Sequence, residues 1–229
     1  MVEVSIVIPT MNEEGSIGAV IDETRAALAD REIEILIVDT NSRDRTREIA
    51  TSKRAQVVSE PRRGYGRAYK TGFAAARGTY IGTLDADLTY PANRFPDLLR
   101  LLDAGQADFV AGDRITRLST EAMTGMHRLG NMILNVAFRF LYRFPMQDSQ
   151  SGMWAFRRDL LPHLHVIHDG MGFSEELKAE VLRHGYRYAE VPIDYRPRVG
   201  EKKIRSLNDA FKNFVWLFRK RFGWVREPA

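Results

Sequence analysis

The chain has 229 residues and no cysteine, so disulfide bonds and cysteine-ligated zinc are excluded. Its composition, 44% hydrophobic and 28% charged, is typical of a globular protein with room for one α/β domain. The net charge of +4 favours an anionic partner, whether a phosphorylated substrate, a membrane surface or a nucleic acid. The sequence contains no signal-peptide pattern and no apolar run of about 18 residues, so we expect no transmembrane helix.

Short apolar runs alternate with amphipathic segments along the first half of the chain. The runs predict strands at Val4–Ile8, Glu34–Asp39, Tyr80–Leu84 and Phe109–Ala111. The segments between and after them predict helices at Ser16–Ala29, Asp44–Thr51, Arg67–Ala76 and Asn93–Leu102. Because strands that alternate with helices form βαβ units, we expect an α/β fold, with a mostly parallel, Rossmann-like sheet and flanking helices.

Two further amphipathic helices are predicted towards the C-terminus. The first carries an apolar stripe, which we expect to pack on the domain with its arginines in solvent. The stripe consists of Leu129, Met132, Ile133, Val136, Ala137, Phe140, Leu141 and Phe144. The second, within residues 207–229, combines Phe and Trp with Lys and Arg. Three alternatives stay open for it: packing on the domain, lying at a membrane interface, or contacting a second copy of the chain.

Two aspartates, Asp85 and Asp87, follow the third predicted strand in the stretch GTLDADLTYP. Their side chains point the same way if strand geometry persists, because the side-chain period is two. Neighbouring carboxylates repel each other unless a cation joins them, and Mg²⁺ or Mn²⁺ prefers oxygen ligands. The pair therefore predicts a metal site at the ligand-binding edge of the sheet. The alternative is a turn in which Asp85 caps a helix and Asp87 is solvated.

Polar residues also follow the other predicted strands. Thr10, Asn12 and Glu13 come after the first, and Asp39 ends the second. These residues either form ordinary turns and caps or line a pocket in which Asp39 accepts hydrogen bonds from a base or a ribose.

A glycine-containing stretch, PRRGYGRAYKTGF, precedes a predicted helix and places Arg63 beside two glycines. Glycines let a backbone approach a phosphate, and a helix N-terminus favours anions. The stretch matches neither the P-loop pattern nor the GxGxxG fingerprint, so nicotinamide chemistry is not favoured.

Eight stretches together resemble the family 2 glycosyltransferases of the GT-A fold, and more narrowly the polyprenyl-phosphate hexosyltransferases of the dolichol-phosphate mannose synthase type. In chain order they are VSIVIPTMNEE, ILIVDTNSRDRT, RRGYGRAYKTGF, YIGTLDADLTYP, VAGDR, DSQSGMWAFRRD, GFSEEL and YRPRVGEKKI. The resemblance implies a catalytic domain over residues 1–206, with residues 207–229 as an appended basic helix. It also implies a nucleotide-sugar donor, Mg²⁺ or Mn²⁺, inversion at the anomeric carbon and a polyprenyl phosphate acceptor.

The resemblance also implies roles for individual positions of this chain. The residues that match the nucleoside cradle are Pro9, Thr10, Asn12, Glu13 and Asp39. Asp87 resembles the direct metal ligand and Asp85 a residue nearer the ribose or sugar. Thr89 stands where related enzymes often have Gln, which puts a third protein ligand in doubt.

Basic residues resemble the groups that hold the two phosphorylated substrates. Arg114 and Arg128 match the pair that binds the acceptor phosphate, and the alternative for each is a solvated charge. Arg198 and Lys203 match a basic loop that closes on the donor pyrophosphate, and Arg63 could assist. Asp148 and Gln150, with Ser151, match the block that lies under the sugar.

These observations predict an inverting, metal-dependent transfer of a hexose, from a GDP-mannose or UDP-glucose type of donor to a polyprenyl or dolichyl phosphate. We expect a cytoplasmic protein that lies peripherally at the inner face of a membrane. One alternative is transfer to a soluble sugar or glycan hydroxyl, with Glu175 or Asp148 as base, and another is a catalytically silent nucleotide-sugar-binding protein. A nucleic-acid partner is not expected, because the basic residues do not form one face with interleaved aromatics. The oligomeric state is open.

Overall fold

A computed structural model describes residues 1–117, 125–199, 215, 216, 218, 221 and 222, and the side chains of residues 125–129 lie outside this description. The strands are β1 (Val4–Thr10), β2 (Ile33–Asp39), β3 (Gln56–Ser59), β4 (Tyr80–Thr83), β5 (Phe109–Asp113), β6 (Trp154–Arg157) and β7 (Tyr188–Pro192). The α-helices are α1 (Ile17–Ala27), α2 (Thr46–Ser52), α3 (Tyr65–Ala75), α4 (Phe95–Asp103), α5 (Gly125–Tyr142) and α6 (Phe173–Arg183). Short 3₁₀ segments lie at Ala92–Arg94 and Arg158–His163.

The strands form one sheet in the order β3-β2-β1-β4-β6-β5-β7. All neighbours are parallel except at β6, which runs antiparallel to both β4 and β5. Thr10 at the end of β1 pairs with Asp39 at the end of β2, and Val7 of β1 pairs with Thr83 at the end of β4. The chain winds away from β1 in both directions, so the C-terminal ends of β1, β2 and β4 border a crevice at the switch point of the sheet.

Both faces of the sheet are covered by apolar side chains. On one face Ile6 and Ile8 of β1 join a core with α1 and α4, and on the other Val7 joins a core with α3 and α6. All three side chains are fully buried. A parallel strand that is covered on both faces is mostly apolar, which is why the short β-branched runs identified these strands.

The expected α/β architecture is confirmed, and each of the four predicted strands and four predicted helices is present with small shifts of its ends. Strands β3, β6 and β7 were not predicted. No helix formed by the described residues has the length and apolarity needed to cross a membrane. The helix predicted within residues 207–229 lies almost wholly outside the described residues.

The prediction for α5 was wrong about which side of the helix is buried. The helix packs on the domain through Leu134, Phe138 and Leu141. Most of the predicted apolar stripe faces outward, with exposed fractions between 54% and 82% for Met132, Ile133, Val136 and Phe140. The helix has apolar residues on two sides. Its buried side also contains the polar residue Asn135, so the spacing of apolar residues alone does not show which side is buried.

Candidate active site

The two aspartates lie just beyond the end of β4, in a tight turn. Leu88 adopts a positive φ of 65°, which is rare for a bulky side chain and marks local backbone strain. The Asp87 Oδ1 atom accepts hydrogen bonds from the Thr89 amide at 3.1 Å and from the Thr89 hydroxyl at 2.6 Å. Thr89 therefore orients Asp87 in this structure and offers no third carboxylate or amide oxygen.

The electrostatic environment of Asp85 is that of a crowded acidic pair. Desolvation, and next the charge of Asp87, raise the pKa of Asp85 to about 7, while Arg198 and Arg114 lower it. The Tyr65 hydroxyl donates to Asp85 Oδ1 at 3.4 Å. Excess negative charge in a partly desolvated crevice is the condition that a bound cation relieves.

A cationic side chain already lies against this pair. The Arg198 guanidinium is 3.1 Å from Asp87 Oδ2 and 3.8 Å from Glu13 Oε1. The Val199 amide also donates to the Asp87 carbonyl at 3.1 Å. The segment 196–199 therefore lies over the carboxylate turn. Lys203 lies outside the described residues.

The donor set fits the divalent metal that the resemblance implies. Asp85 and Asp87 supply hard carboxylate oxygens, and the guanidinium of Arg198 shows that this spot accommodates a positive charge. Across the described residues, no group of three or more His, Asp and Glu side chains is arranged to hold a metal. Two carboxylates suit Mg²⁺ or Mn²⁺, because such ions are commonly completed by substrate phosphates and water.

Asp39 lies at the crevice edge, where β2 ends beside Thr10 of β1. Its side chain is fully buried; Oδ2 accepts from the Ser42 amide at 3.3 Å, whereas Oδ1 has no hydrogen-bond partner. A buried carboxylate oxygen without a partner is costly unless a ligand supplies a donor. The Thr10 hydroxyl donates to the Val38 carbonyl at 3.2 Å, and Pro9 precedes it in β1.

Asn12 and Glu13 connect the loop after β1 to the loop after β2. The Asn12 side-chain oxygen accepts from the Arg43 amide at 2.8 Å, and Asn12 has a positive φ of 54°. The Glu13 amide donates to the Thr46 hydroxyl at 2.8 Å. These contacts give both residues a part in shaping the crevice rim. Arg63 is exposed in the loop that precedes α3.

Arg114 is held by Asp148 through two side-chain hydrogen bonds, from Nε at 2.7 Å and from Nη2 at 2.8 Å, and through its amide at 3.0 Å. The guanidinium also lies over the Tyr195 ring, 5.3 Å from its centroid. Burial raises the pKa of Asp148, but the charge and hydrogen bonds of Arg114 outweigh this effect and hold it below its usual value. Arg114 is therefore a fixed cation at the crevice, where its charge also lowers the pKa of Asp85. Arg128 belongs to α5, but its side chain lies outside the described residues.

The expected contact of Asp148 with the sugar does not fit this geometry. Asp148 is fully buried, and its oxygens accept from Arg114 and from the Gln150 amide at 3.2 Å. The physical reason is that a buried carboxylate pairs with the strongest donor within reach. Here that donor is the Arg114 guanidinium, which lies 34 residues earlier in the chain. Gln150 itself is partly exposed, and Ser151 is buried.

Aromatic residues that the sequence analysis did not single out complete the wall of the crevice. Tyr65 reaches Asp85, Tyr195 lies under Arg114, and the Tyr90 hydroxyl accepts from the Gly152 amide at 2.7 Å. A Cβ atom on Gly152 would lie 2.4 Å from the Tyr65 hydroxyl, so the close approach requires glycine. The sequence feature that could have identified Tyr65 is its position between the two glycines of the glycine-containing stretch.

Glu175, in the first turn of α6, is fully buried, and neither of its carboxylate oxygens has a hydrogen-bond partner. Burial raises its pKa to about 8, against the opposing effects of Lys178 and Gln150. The carboxyl is therefore mostly protonated at neutral pH.

The sheet order and the polar crevice beside β1 and β4 are those of the GT-A fold. The chain superposes on glucosyl-3-phosphoglycerate synthase from Mycobacterium tuberculosis, solved in complex with Mn²⁺, uridine-diphosphate and phosphoglyceric acid, with a TM-score of 0.78. The match covers 98% of this chain and 80% of that one at 22% sequence identity, so it establishes the fold alone.

Residues 5–164 match the model of glycosyl transferase family 2, and the chain therefore belongs to that family and is a glycosyltransferase. It is 37% identical to a dolichyl-phosphate hexose transferase from Haloferax volcanii, over 88% of this chain and 86% of that protein. It is 36% identical to the low-salt glycan biosynthesis hexosyltransferase Agl6 of the same organism, over 96% of this chain but about half, 54%, of Agl6. The family and fold expected from the sequence motifs are thus confirmed.

Proposed function

We propose that this glycosyltransferase moves a hexose from a nucleotide sugar to a polyprenyl phosphate, with inversion at the anomeric carbon. The observation that carries the proposal is the buried guanidinium of Arg114, which Asp148 fixes close enough to Asp85 to lower the pKa of that carboxyl. A fixed cation beside an acidic pair suits a reaction between two anionic substrates. The similarity to a dolichyl-phosphate hexose transferase supports a lipid phosphate as acceptor.

The chemistry needs little base catalysis, because an acceptor phosphate is already ionised at neutral pH. A phosphate oxygen forms the new bond to the anomeric carbon while the bond from that carbon to the diphosphate oxygen breaks on the opposite side. Arg114, together with Arg128, orients the acceptor for this displacement. Asp87, with Asp85 beside it, would hold Mg²⁺ or Mn²⁺, whose charge favours departure of the nucleoside diphosphate.

The remaining residues are assigned to the donor. The nucleoside contacts proposed from the crevice edge are Pro9, Thr10, Asn12, Glu13 and Asp39. Arg63, Arg198 and Lys203 are assigned to the pyrophosphate, and Gln150 to the sugar. The free oxygen of Asp39 accepts from a base or from a ribose hydroxyl, so it suits a GDP-mannose or a UDP-glucose type of donor.

A soluble sugar or glycan acceptor is the second candidate, and it is less well supported. Its hydroxyl would need a base, yet the Glu175 carboxyl is fully buried, and Asp148 is engaged by Arg114. The remaining alternative, a catalytically silent nucleotide-sugar-binding protein, is not favoured, because the family match identifies the chain as a glycosyltransferase.

The acceptor assignment is tested by comparing Arg114→Gln with Arg187→Gln. Arg187 forms a similar two-point ion pair with Asp108, but at the N-terminal ends of β5 and β7, whereas Arg114 follows the C-terminal end of β5. We expect Arg114→Gln to lose at least about 100-fold in transfer to a polyprenyl phosphate while it still hydrolyses the donor slowly, because a charged hydrogen bond to phosphate is lost. Equal effects of the two variants on transfer would contradict the assignment.

The lipid tail of the acceptor brings the protein to a membrane surface, and the outer face of α5 is the proposed contact. That face exposes four large apolar side chains, Met132, Ile133, Val136 and Phe140. Exposed apolar side chains on a helix bind the interfacial region of a bilayer, here the inner face of a cytoplasmic membrane. The division into a catalytic domain over 1–206 and a basic helix over 207–229 remains part of this proposal.

Vesicle flotation tests the membrane contact. With anionic vesicles, Phe140→Ser combined with Ile133→Ser should release most of the protein to the bottom fraction, because apolar area drives insertion. Gln106→Ser, at an exposed position after α4, is the matched control and should float as the unaltered chain does. Equal flotation of all three would exclude the outer face of α5 as the contact.

A further inference from the structure

Side chains from three separate elements form hydrogen bonds with the loop over residues 147–151, which carries Asp148. From α6, the Lys178 ammonium donates to the carbonyl oxygens of Asp148 at 2.9 Å, Ser149 at 3.0 Å and Ser151 at 3.1 Å. An ammonium group has three donors, so this geometry uses all of them on one short stretch of backbone.

Side chains of β7 and α5 form hydrogen bonds with the backbone of the same loop. Glu190 of β7 accepts from the Gln147 amide at 2.7 Å and from the Asp148 amide at 2.9 Å. Asn135 of α5 accepts from the Ser149 amide at 2.8 Å and donates to the Gln147 carbonyl at 2.6 Å. Because the loop is largely buried, these side chains supply the partners that its backbone polar groups require.

The cost of burying Lys178 indicates that the loop geometry matters. Its side chain is fully buried, and burial lowers its pKa to about 8, against the charges of Asp148 and Glu190. A buried charge is retained only with compensating partners, and an apolar side chain here would remove the Lys178 donor from the Asp148 and Ser149 carbonyls. The Ser151 carbonyl would keep the Trp154 indole N–H as a donor at 2.6 Å. The consequence is a defined position for the Asp148 backbone, and hence for the carboxylate that holds Arg114.

We propose that Lys178 is a positioning residue for the acceptor site: by fixing the 147–151 loop it sets Asp148, and through Asp148 it sets the Arg114 guanidinium. Lys178 itself touches no substrate, since its three donors are all used on backbone carbonyls. This inference rests on the proposed function, because it assigns Arg114 to the acceptor phosphate. The inference adds a buried residue of α6, Lys178, to the residues that the acceptor site requires. None of the motifs around the crevice includes this residue.

The test is a comparison of Lys178→Met with Lys70→Met in the full chain, using a short polyprenyl phosphate and the donor that the unaltered enzyme accepts. Lys70 of α3 is a matched control, since its ammonium also donates to a backbone carbonyl, that of Ile167 at 3.1 Å, and pairs with Asp169. We expect Lys178→Met to raise the KM for the acceptor on the order of tenfold, because loss of a buried donor loosens the loop. Its Kd for the nucleoside diphosphate, measured by calorimetry, should stay within about twofold of the unaltered value. Lys70→Met should change neither quantity.

A Lys178→Met protein that fails to fold is replaced in the same assays by Lys178→Arg. Arginine keeps the charge, but its planar fork cannot converge on three carbonyls, so the acceptor KM should still rise while nucleotide binding is kept. Equal losses in acceptor KM and nucleotide Kd, or an unchanged acceptor KM in a folded variant, would overturn the inference. If the unaltered enzyme transfers nothing to the lipid phosphate, the proposed function fails, and the inference fails with it. A transferring enzyme whose Lys178 variants show no selective effect refutes the inference alone.

Discussion

Replacement of Arg198 by glutamine should strengthen binding of a divalent metal in the absence of nucleotide. The Arg198 guanidinium lies 3.1 Å from Asp87 Oδ2, on the carboxylate assigned to the metal. A metal ion and this guanidinium compete for the same oxygen, so metal binding must displace Arg198. The variant removes the competitor and leaves both aspartates in place.

The size of the effect follows from the geometry of the pair. Two unit charges 3.1 Å apart attract by about 5 kcal/mol at an effective dielectric constant of about 20. The Arg198 side chain is 28% exposed, so screening, desolvation and side-chain entropy offset most of this attraction and leave about 1–2 kcal/mol. Loss of the pair should therefore raise the metal affinity about 5- to 30-fold.

The assay is a titration with Mn²⁺ without nucleotide, followed by the electron paramagnetic resonance signal of the free ion. A pH of about 8 keeps Asp85, with its pKa of about 7, mostly ionised in the unaltered protein. Arg196→Gln is the matched control, since Arg196 lies on the same segment but pairs with Glu23 at 2.9 and 3.0 Å. Equal or weaker Mn²⁺ binding by Arg198→Gln would refute the competition.

Three further predictions concern stability and donor binding. The folded-state pKa values of Asp85 and Glu175, about 7 and about 8, lie above their ordinary values, so the stability that these carboxyls contribute at low pH is lost as the pH rises through those values. Melting temperatures in chelator should therefore fall between pH 5 and pH 8, and Asp85→Asn and Glu175→Gln should each flatten that slope; an unaltered slope in both would contradict the assignment. Gly66→Ala should lower the free energy of unfolding by about 2 kcal/mol, because the added Cβ would lie 2.4 Å from a backbone carbonyl oxygen. Gly130→Ala, within α5 where a Cβ meets no neighbouring atom, should raise it by about 0.5–1 kcal/mol. Urea unfolding measures both changes. Asp39→Asn should weaken nucleoside diphosphate binding about tenfold in calorimetry with little change in melting temperature, and unchanged binding would remove Asp39 from the donor site.

The strands that the sequence predicted consist mostly of buried residues, although the buried strand β6 was missed as well. β1 and β2 are almost wholly buried, so their runs are mostly apolar, with Ser5 and Glu34 as polar exceptions inside them. β3 is a short edge strand with both end residues exposed, and β7 is partly exposed along its whole length, so neither produces such a run. The orientation of α5 depends on the surface it meets, and the residue spacing of the helix does not contain that information.

The candidate site shows the same division between local and long-range information. Asp39, Asp85 and Asp87 follow strands, so parallel strand geometry alone predicts that they gather at one edge. The pairing of Arg114 with Asp148 joins residues 34 positions apart and depends on the fold. Lys178 has the sequence context of an ordinary solvated helix residue, and its burial arises from the loop that packs over α6.

The most direct test of the proposed function is product formation by the unaltered chain. The reaction would contain Mg²⁺ or Mn²⁺, a short polyprenyl phosphate, and in turn a panel of GDP- and UDP-linked hexoses, with products resolved by mass spectrometry and their anomeric configuration by NMR. We expect a polyprenyl hexosyl phosphate, of inverted configuration, from one of these donors. Donor binding without any lipid-linked product, whichever donor is supplied, would contradict it.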